Sequence, residues 1–141
     1  MSDHDTDILL WSDRQAELLR RLAAGEPVND LELDWPNIAE EIKSVGRGQL
    51  HAVESLLLQA LVHMLRAEAW PLARDVPCRQ AEARMFRAQA RRRFVPSMRQ
   101  RIDLAGIYAD ALRGLPETMD GVQPLPVPNV CPVTLDELLS G

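Results

Sequence analysis

Apolar residues recur at intervals of three and four through the middle of the chain. Leu50, Val53, Leu57, Leu61 and Met64 keep this spacing, which places them on one face of an α-helix. Leu56, Leu58, Val62 and Leu65 widen the stripe beyond a narrow two-helix seam. A helix apolar around so much of its girth needs several neighbours, so the pattern predicts a helix inside a bundle. Trp35, Ile38, Ile42 and Val45 carry the same period on the N-terminal side, with Asp34 as a cap and Pro36 in the first turn, where amide donors are free. Gly46 and Gly48 interrupt the run. Each costs about 1 kcal/mol relative to alanine in a helix interior, so a bend or short break is expected there.

Other segments repeat the helical period more weakly. A first helix is expected from Thr6 or Asp7 to Ala24, with Ile8, Trp11, Leu18 and Leu22 on its buried face and Gly25 and Pro27 ending it. Ser12 with Gln15 also fits a capping box, which would start that helix later. The central stretch should end near Trp70-Pro71. A further helix is predicted over Cys78–Phe94, buried through Ala83, Phe86, Ala90 and Phe94. Another is expected from Ser97 to Arg113, with Met98, Ile102, Ala105, Ala109 and Leu112 as its seam and Gly114 closing it.

From Leu115 the character changes. Pro116, Pro124, Pro126, Pro128 and Pro132 predict an extended, polyproline-like segment. Thr134 and Glu137 have capping-box spacing, and Leu135, Leu138 and Leu139 would give a short terminal helix its apolar face. The fold class is therefore all-α. The expected architecture is four or five bundled helices over residues 1–115, and a Pro-rich tail over 116–141 whose short helix packs on the bundle.

Composition supports helices over sheets. Aromatic residues make up only 4% of the 141 residues, and leucine and alanine dominate. Cys78 and Cys131 have neither CxxC nor zinc spacing, which fits a reducing, cytoplasmic setting. The acidic start, MSDHDTD, is unlike a secretory leader, and no apolar run approaches a membrane span, so no membrane partner is expected.

The net charge of −5 is unevenly spread. Residues 1–70 carry 13 acidic and 6 basic side chains, whereas residues 71–113 carry 10 basic and 4 acidic. Lys43 is the only lysine. Blocks of opposite sign can pair within a fold, dimerise or bind an outside ligand.

Several of these residues resemble a known pattern. The succession Trp35-Pro-Asn-Ile-Ala-Glu-Glu-Ile42, then Val45-Gly46-Arg47, then Leu57 through His63-Met-Leu-Arg66 is similar to a bacterial family. That family is classed only as a domain of unknown function, the twenty-ninth of its series. The resemblance continues through Pro96-Ser97-Met98-Arg99, Tyr108 and Cys131–Leu139, and covers roughly residues 5–139. It implies an all-α fold of several packed helices and brings no established activity with it. This chain departs from the family pattern at Arg66-Ala67, Trp70-Pro71 and Pro77-Cys78, and its arginine helix lacks the acids that the family mixes in.

Three chemistries can be weighed. Glu40, Glu41, Arg47 and His63 form a candidate polar cluster, in which a glutamate accepts from an arginine and His63 is a partly buried imidazole with polar partners. A metal site would draw on Glu41, Glu54 and His63. However, His51-x-x-Glu54 reverses the Glu-x-x-His order of di-iron bundles and occurs once, so no metal ligand is assigned. Ser55 lies a turn from His51 without an oxyanion hole, Gly46-Arg47-Gly48 is too short for a phosphate loop, and Cys78 reads as a loop-edge residue. Arg84, Arg87, Arg91 and Arg92 form a candidate anion or nucleic-acid patch within a run of eight arginines between Arg79 and Arg101. Pairing with the acidic first half, in the same chain or a partner subunit, is the expected use of that run, because guanidinium forks suit carboxylates.

The residues thus point to a non-enzymatic protein–protein interaction or regulatory module with no cofactor. Its partner would be another protein or a second copy. A nucleic-acid-associated protein is the alternative, and a metal-dependent enzyme the third.

Overall fold

The long apolar run folds as one helix. In the structure, a computed structural model that describes residues 3–141, the chain forms α1 (Asp3–Thr6), α2 (Ile8–Ala23), a 3-10 turn (Asp30–Glu32) and α3 (Trp35–Ala69). These are followed by α4 (Val76–Arg93), a second 3-10 turn (Pro96–Met98), α5 (Leu104–Arg113) and α6 (Leu135–Ser140). The fold is all-α, with six helices among the described residues and a single isolated β-bridge, Met119–Val122. It divides into two compact units, one ending at Arg47 and one running from Gly48 to Gly141. The boundary expected at residue 115 matches neither limit, and the Pro-rich segment lies inside the second unit.

The break expected at Gly46 and Gly48 does not occur, since α3 runs through both. No neighbouring atom lies within 4 Å of where a Cβ would sit on either glycine. Helix already formed on both sides makes propagation across them cheaper than a new nucleation. The units nevertheless divide beside this pair.

In the first unit, Asp7 caps α2 by accepting from the Leu10 amide at 3.0 Å. Ser12 is not the cap, for its hydroxyl donates to the Leu9 carbonyl inside the helix. Gly25, at φ +79°, turns the chain out of α2 as a left-handed C-terminal residue. Among its described residues the core consists of Trp11, Leu33 and Ile38, with Leu18, Leu19 and Val28 packed against it. Gln15 is buried among them. Its side-chain amide donates to the Glu32 carbonyl and its oxygen accepts from the Asp34 amide, so one glutamine satisfies two backbone groups of the α2–α3 connection.

The buried faces read from the period are corrected here. Ile8 and Leu22 are exposed, and on α3 only Ile38 of the four periodic residues is buried. A unit of 47 residues has too little interior to cover them all.

The second unit holds the larger core: Val53, Leu57, Leu61 and Leu65 of α3, Ala90 of α4, Met98, Ile107, Tyr108 and Ala111 of α5, and Leu138 and Leu139 of α6. The helix expected over Ser97–Arg113 is split. Pro96–Met98 forms a 3-10 turn, and α5 begins only after Asp103, whose carboxylate accepts from the Gly106 amide. That later start rotates the buried face onto Ile107, Tyr108 and Ala111, and leaves Ala105 exposed.

The Pro-rich segment is held by backbone acceptors and donors. Trp70 Nε1 donates to the Val122 carbonyl, the Leu125 amide to the Ala69 carbonyl, and the Tyr108 hydroxyl to the Pro128 carbonyl at 2.6 Å. Asp120 and Gly121, both at positive φ, make the two-residue turn that closes the Met119–Val122 bridge. The Asp-Gly dipeptide was the sequence signal for it. Thr134 and Glu137 form the reciprocal capping box that starts α6.

Candidate functional site

The candidate polar residues separate into three local arrangements. Arg47 pairs with Glu40 about two turns back along α3, and that guanidinium holds the Glu40 carboxyl below its ordinary range. Glu41 instead accepts from His4 Nε2 at 2.8 Å. His4 meets the Trp11 ring edge-on at 4.7 Å, and the Trp11 indole donates to Asp34. Bonds from Asn37 and Trp11 hold the Asp34 carboxyl low, while the bond to Glu41 raises His4 above its ordinary value. His4 was missed in the sequence because the N-terminus read as a solvated acidic stretch.

Arg47 and His63 stand sixteen residues apart on α3, roughly 24 Å along its axis, so the expected grouping of Glu40, Glu41, Arg47 and His63 does not form. The His63 ring stacks on Phe86 at 5.5 Å. Nε2 lies 3.0 Å from Glu82, and Nδ1 lies 3.2 Å from an Arg79 guanidinium nitrogen. Arg79 is in turn fixed by Asp75 at 2.9 Å. Burial pushes the His63 pKa down, and Arg79 and Arg66 push the same way against Glu82 and Asp75. Arg66 Nε is buried without a hydrogen-bond partner. No helical spacing within the sequence connects His63 with residues 75–86, which is why these partners were invisible before folding.

Among the described residues, no group of three His, Cys, Asp or Glu side chains could hold a metal ion, so Glu41, Glu54 and His63 do not form one. His51 is exposed, as are Ser55 and Cys78, and both cysteines are free thiols.

The arginine patch is also partly redrawn. Arg87 is not available to an outside anion through its whole fork. Its Nε donates to the Leu138 carbonyl and one terminal nitrogen to the Glu137 carbonyl, so it caps the last turn of α6. Arg99 pairs with Asp136 and lies over the Phe94 ring. By contrast Arg84, Arg91 and Arg92, with Arg93 beside them, are exposed and have no ion-pair or hydrogen-bond partner among the described residues. Of the pairing with acids expected of this run, in the same chain or a partner subunit, the within-chain form is absent at those four positions among the described residues. Arg84 also borders a cleft of about 540 Å³ floored by Met64, Ala67 and Ala83. A second, more apolar cleft of about 440 Å³ lies beside Trp70, Leu72 and Val122.

The arrangement defines a class: an all-α protein whose polar clusters are bonded within themselves. A solved structure of similar fold is an α-helical protein of unknown function from Rhodospirillum rubrum ATCC 11170. It shares 28% identity with this chain at a TM-score of 0.69, over 99% of this chain and 90% of that one. The family model described as domain of unknown function DUF29 matches residues 4–141, and the chain belongs to that family. No curated protein matches it. No helix among the described residues is long and apolar enough to cross a membrane.

Proposed function

We propose that this chain is a non-enzymatic interaction module acting in the cytoplasm of a bacterium, and that it docks through the first unit. The observation that carries this reading is the apolar face of α3. Trp35, Ile42 and Val45 are 46%, 70% and 67% exposed, and positions i, i+7 and i+10 share one helix face. Leu9, at 70%, and Leu31, at 93%, add to the exposed apolar surface of the same small unit. Contiguous exposed apolar surface is costly in water and marks interaction sites more often than isolated apolar residues do. The Glu40–Arg47, His4–Glu41 and His63–Glu82–Arg79 groups bond among themselves, which favours binding over chemistry at those side chains.

The test is light scattering of the full chain, and of the Ile42→Asp/Val45→Asp variant, across a concentration series. The expected result is a defined oligomer that the double substitution converts to monomer without loss of helical circular dichroism. An oligomer untouched by the substitutions, or a monomer at every concentration, would overturn the reading.

A further inference from the structure

The first unit and α4 carry complementary charge. Residues 1–47 contain 11 acidic and 5 basic side chains. Helix α4 contains six arginines against one acid, Glu82, which is engaged by His63. Two of the six are also engaged internally: Arg79 by Asp75 and His63, and Arg87 by the α6 carbonyls. Arg84, Arg91, Arg92 and Arg93 remain exposed and unpartnered among the described residues. Arg84 and Arg91 are seven residues apart, as are Met85 and Arg92, so they form two adjacent rows on the helix surface. Met85, 60% exposed, stands beside Arg84 at the N-terminal end of these rows. The surface is therefore a run of free guanidiniums with one exposed methionine at its end, and methionine and arginine are both enriched at interfaces.

We infer that this arginine-rich face of α4 docks on the acidic first unit of a second copy of the chain. The inference rests on the interaction reading above and names the occupant of the first unit's surface. Charge complementarity selects the occupant. The first unit offers the carboxylates that the guanidiniums lack and the exposed apolar residues that Met85 lacks. A nucleic acid would meet the same arginines, but its phosphates would also be repelled by a chain of net charge −5. Exchanged reciprocally, so that each copy gives both faces to the other, the contact closes an isologous dimer; made in one direction only, it is heterologous and extends into rings or longer assemblies.

A charge-swap mixing experiment on the full chain tests this. One variant carries Arg84→Glu, Arg91→Glu and Arg92→Glu; the other carries Asp13→Arg and Glu17→Arg on the exposed side of α2. Each variant alone should be monomeric by light scattering at concentrations where the unsubstituted chain associates. The mixture should regain association, because each variant then supplies the face that the other has inverted. Unsubstituted association should weaken at least tenfold between low and high salt. Association that survives the arginine reversal, or a mixture that stays monomeric, sinks this inference. The interaction reading would still stand if Ile42→Asp/Val45→Asp abolished association. A labelled oligonucleotide shifted by the unsubstituted chain and not by the arginine variant would assign the face to nucleic acid and overturn the inference.

Discussion

Arg79 donates to Nδ1 of His63, and an arginine has no lone pair to offer in return. His63 Nδ1 must therefore accept, which fixes the ring as the neutral tautomer with its proton on Nε2, facing Glu82 at 3.0 Å. Protonating Nδ1 would set a ring N–H against the Arg79 fork. The downward shift from burial and from Arg79 and Arg66 acts in the same direction as this geometry.

A consequence for stability follows from the sign of that shift. With a folded pKa below the unfolded value of about 6.5, the unfolded chain binds more protons between those two values. The contribution of His63 is thus fully present above pH 6.5 and is lost as pH falls through the depressed pKa. Arg79→Met should raise the His63 pKa, read by NMR titration, and two-bond proton–nitrogen spectra should show the Nε2–H form in the unsubstituted chain. A His63 that titrates above 6.5 would contradict the tautomer assignment.

His4 should behave in the opposite way. Its bond to Glu41 raises its pKa, so its stabilisation of the first unit is complete below pH 6.5 and is lost as pH rises through the raised value. Glu41→Gln should bring the His4 pKa down and flatten this dependence, as read from His4 chemical shifts. An unchanged His4 titration in that variant would show that the pair does not persist in solution.

Removing the Arg87 fork should release the C-terminal helix. Arg87→Met deletes two charge-assisted bonds to α6 carbonyls, each worth about 1.5–3 kcal/mol at most for a partly exposed group. The expected outcome is faster proteolysis after residue 133 and faster amide exchange in α6, with α3 protection retained. Equal protection in variant and parent would show that leucine burial alone holds α6.

Within the core, Leu57→Ala should destabilise the second unit by about 2–5 kcal/mol, since the side chain is fully buried. Tyr108→Phe should cost about 1 kcal/mol by freeing the Pro128 carbonyl. Denaturant titration checks both. A Leu57→Ala loss below that of Tyr108→Phe would misplace the centre of the core.

Gln15→Leu is expected to weaken the first unit more than its small volume change suggests. It leaves the Glu32 carbonyl and the Asp34 amide without their partner, at about 1–3 kcal/mol for each group that stays buried. Thermal unfolding followed at the Trp11 fluorescence would detect it.

What the chain spells out directly is what repeats locally. The three-and-four spacing placed α3 and its Val53–Leu57–Leu61 seam. The Cys78–Phe94 pattern came within two residues of α4, and Thr134 with Glu137 marked α6. These signals are legible because period and caps act over a single turn of backbone. Other features depended on partners distant in sequence. Tertiary packing decided that Ile42 and Val45 face solvent, that Arg87 serves α6 instead of an anion, and that His63 meets Arg79 and Glu82 while His4 meets Glu41. The physical reason is that a periodic sequence says which residues can share a face but not whether enough protein exists to cover it. In a unit of 47 residues, there is not.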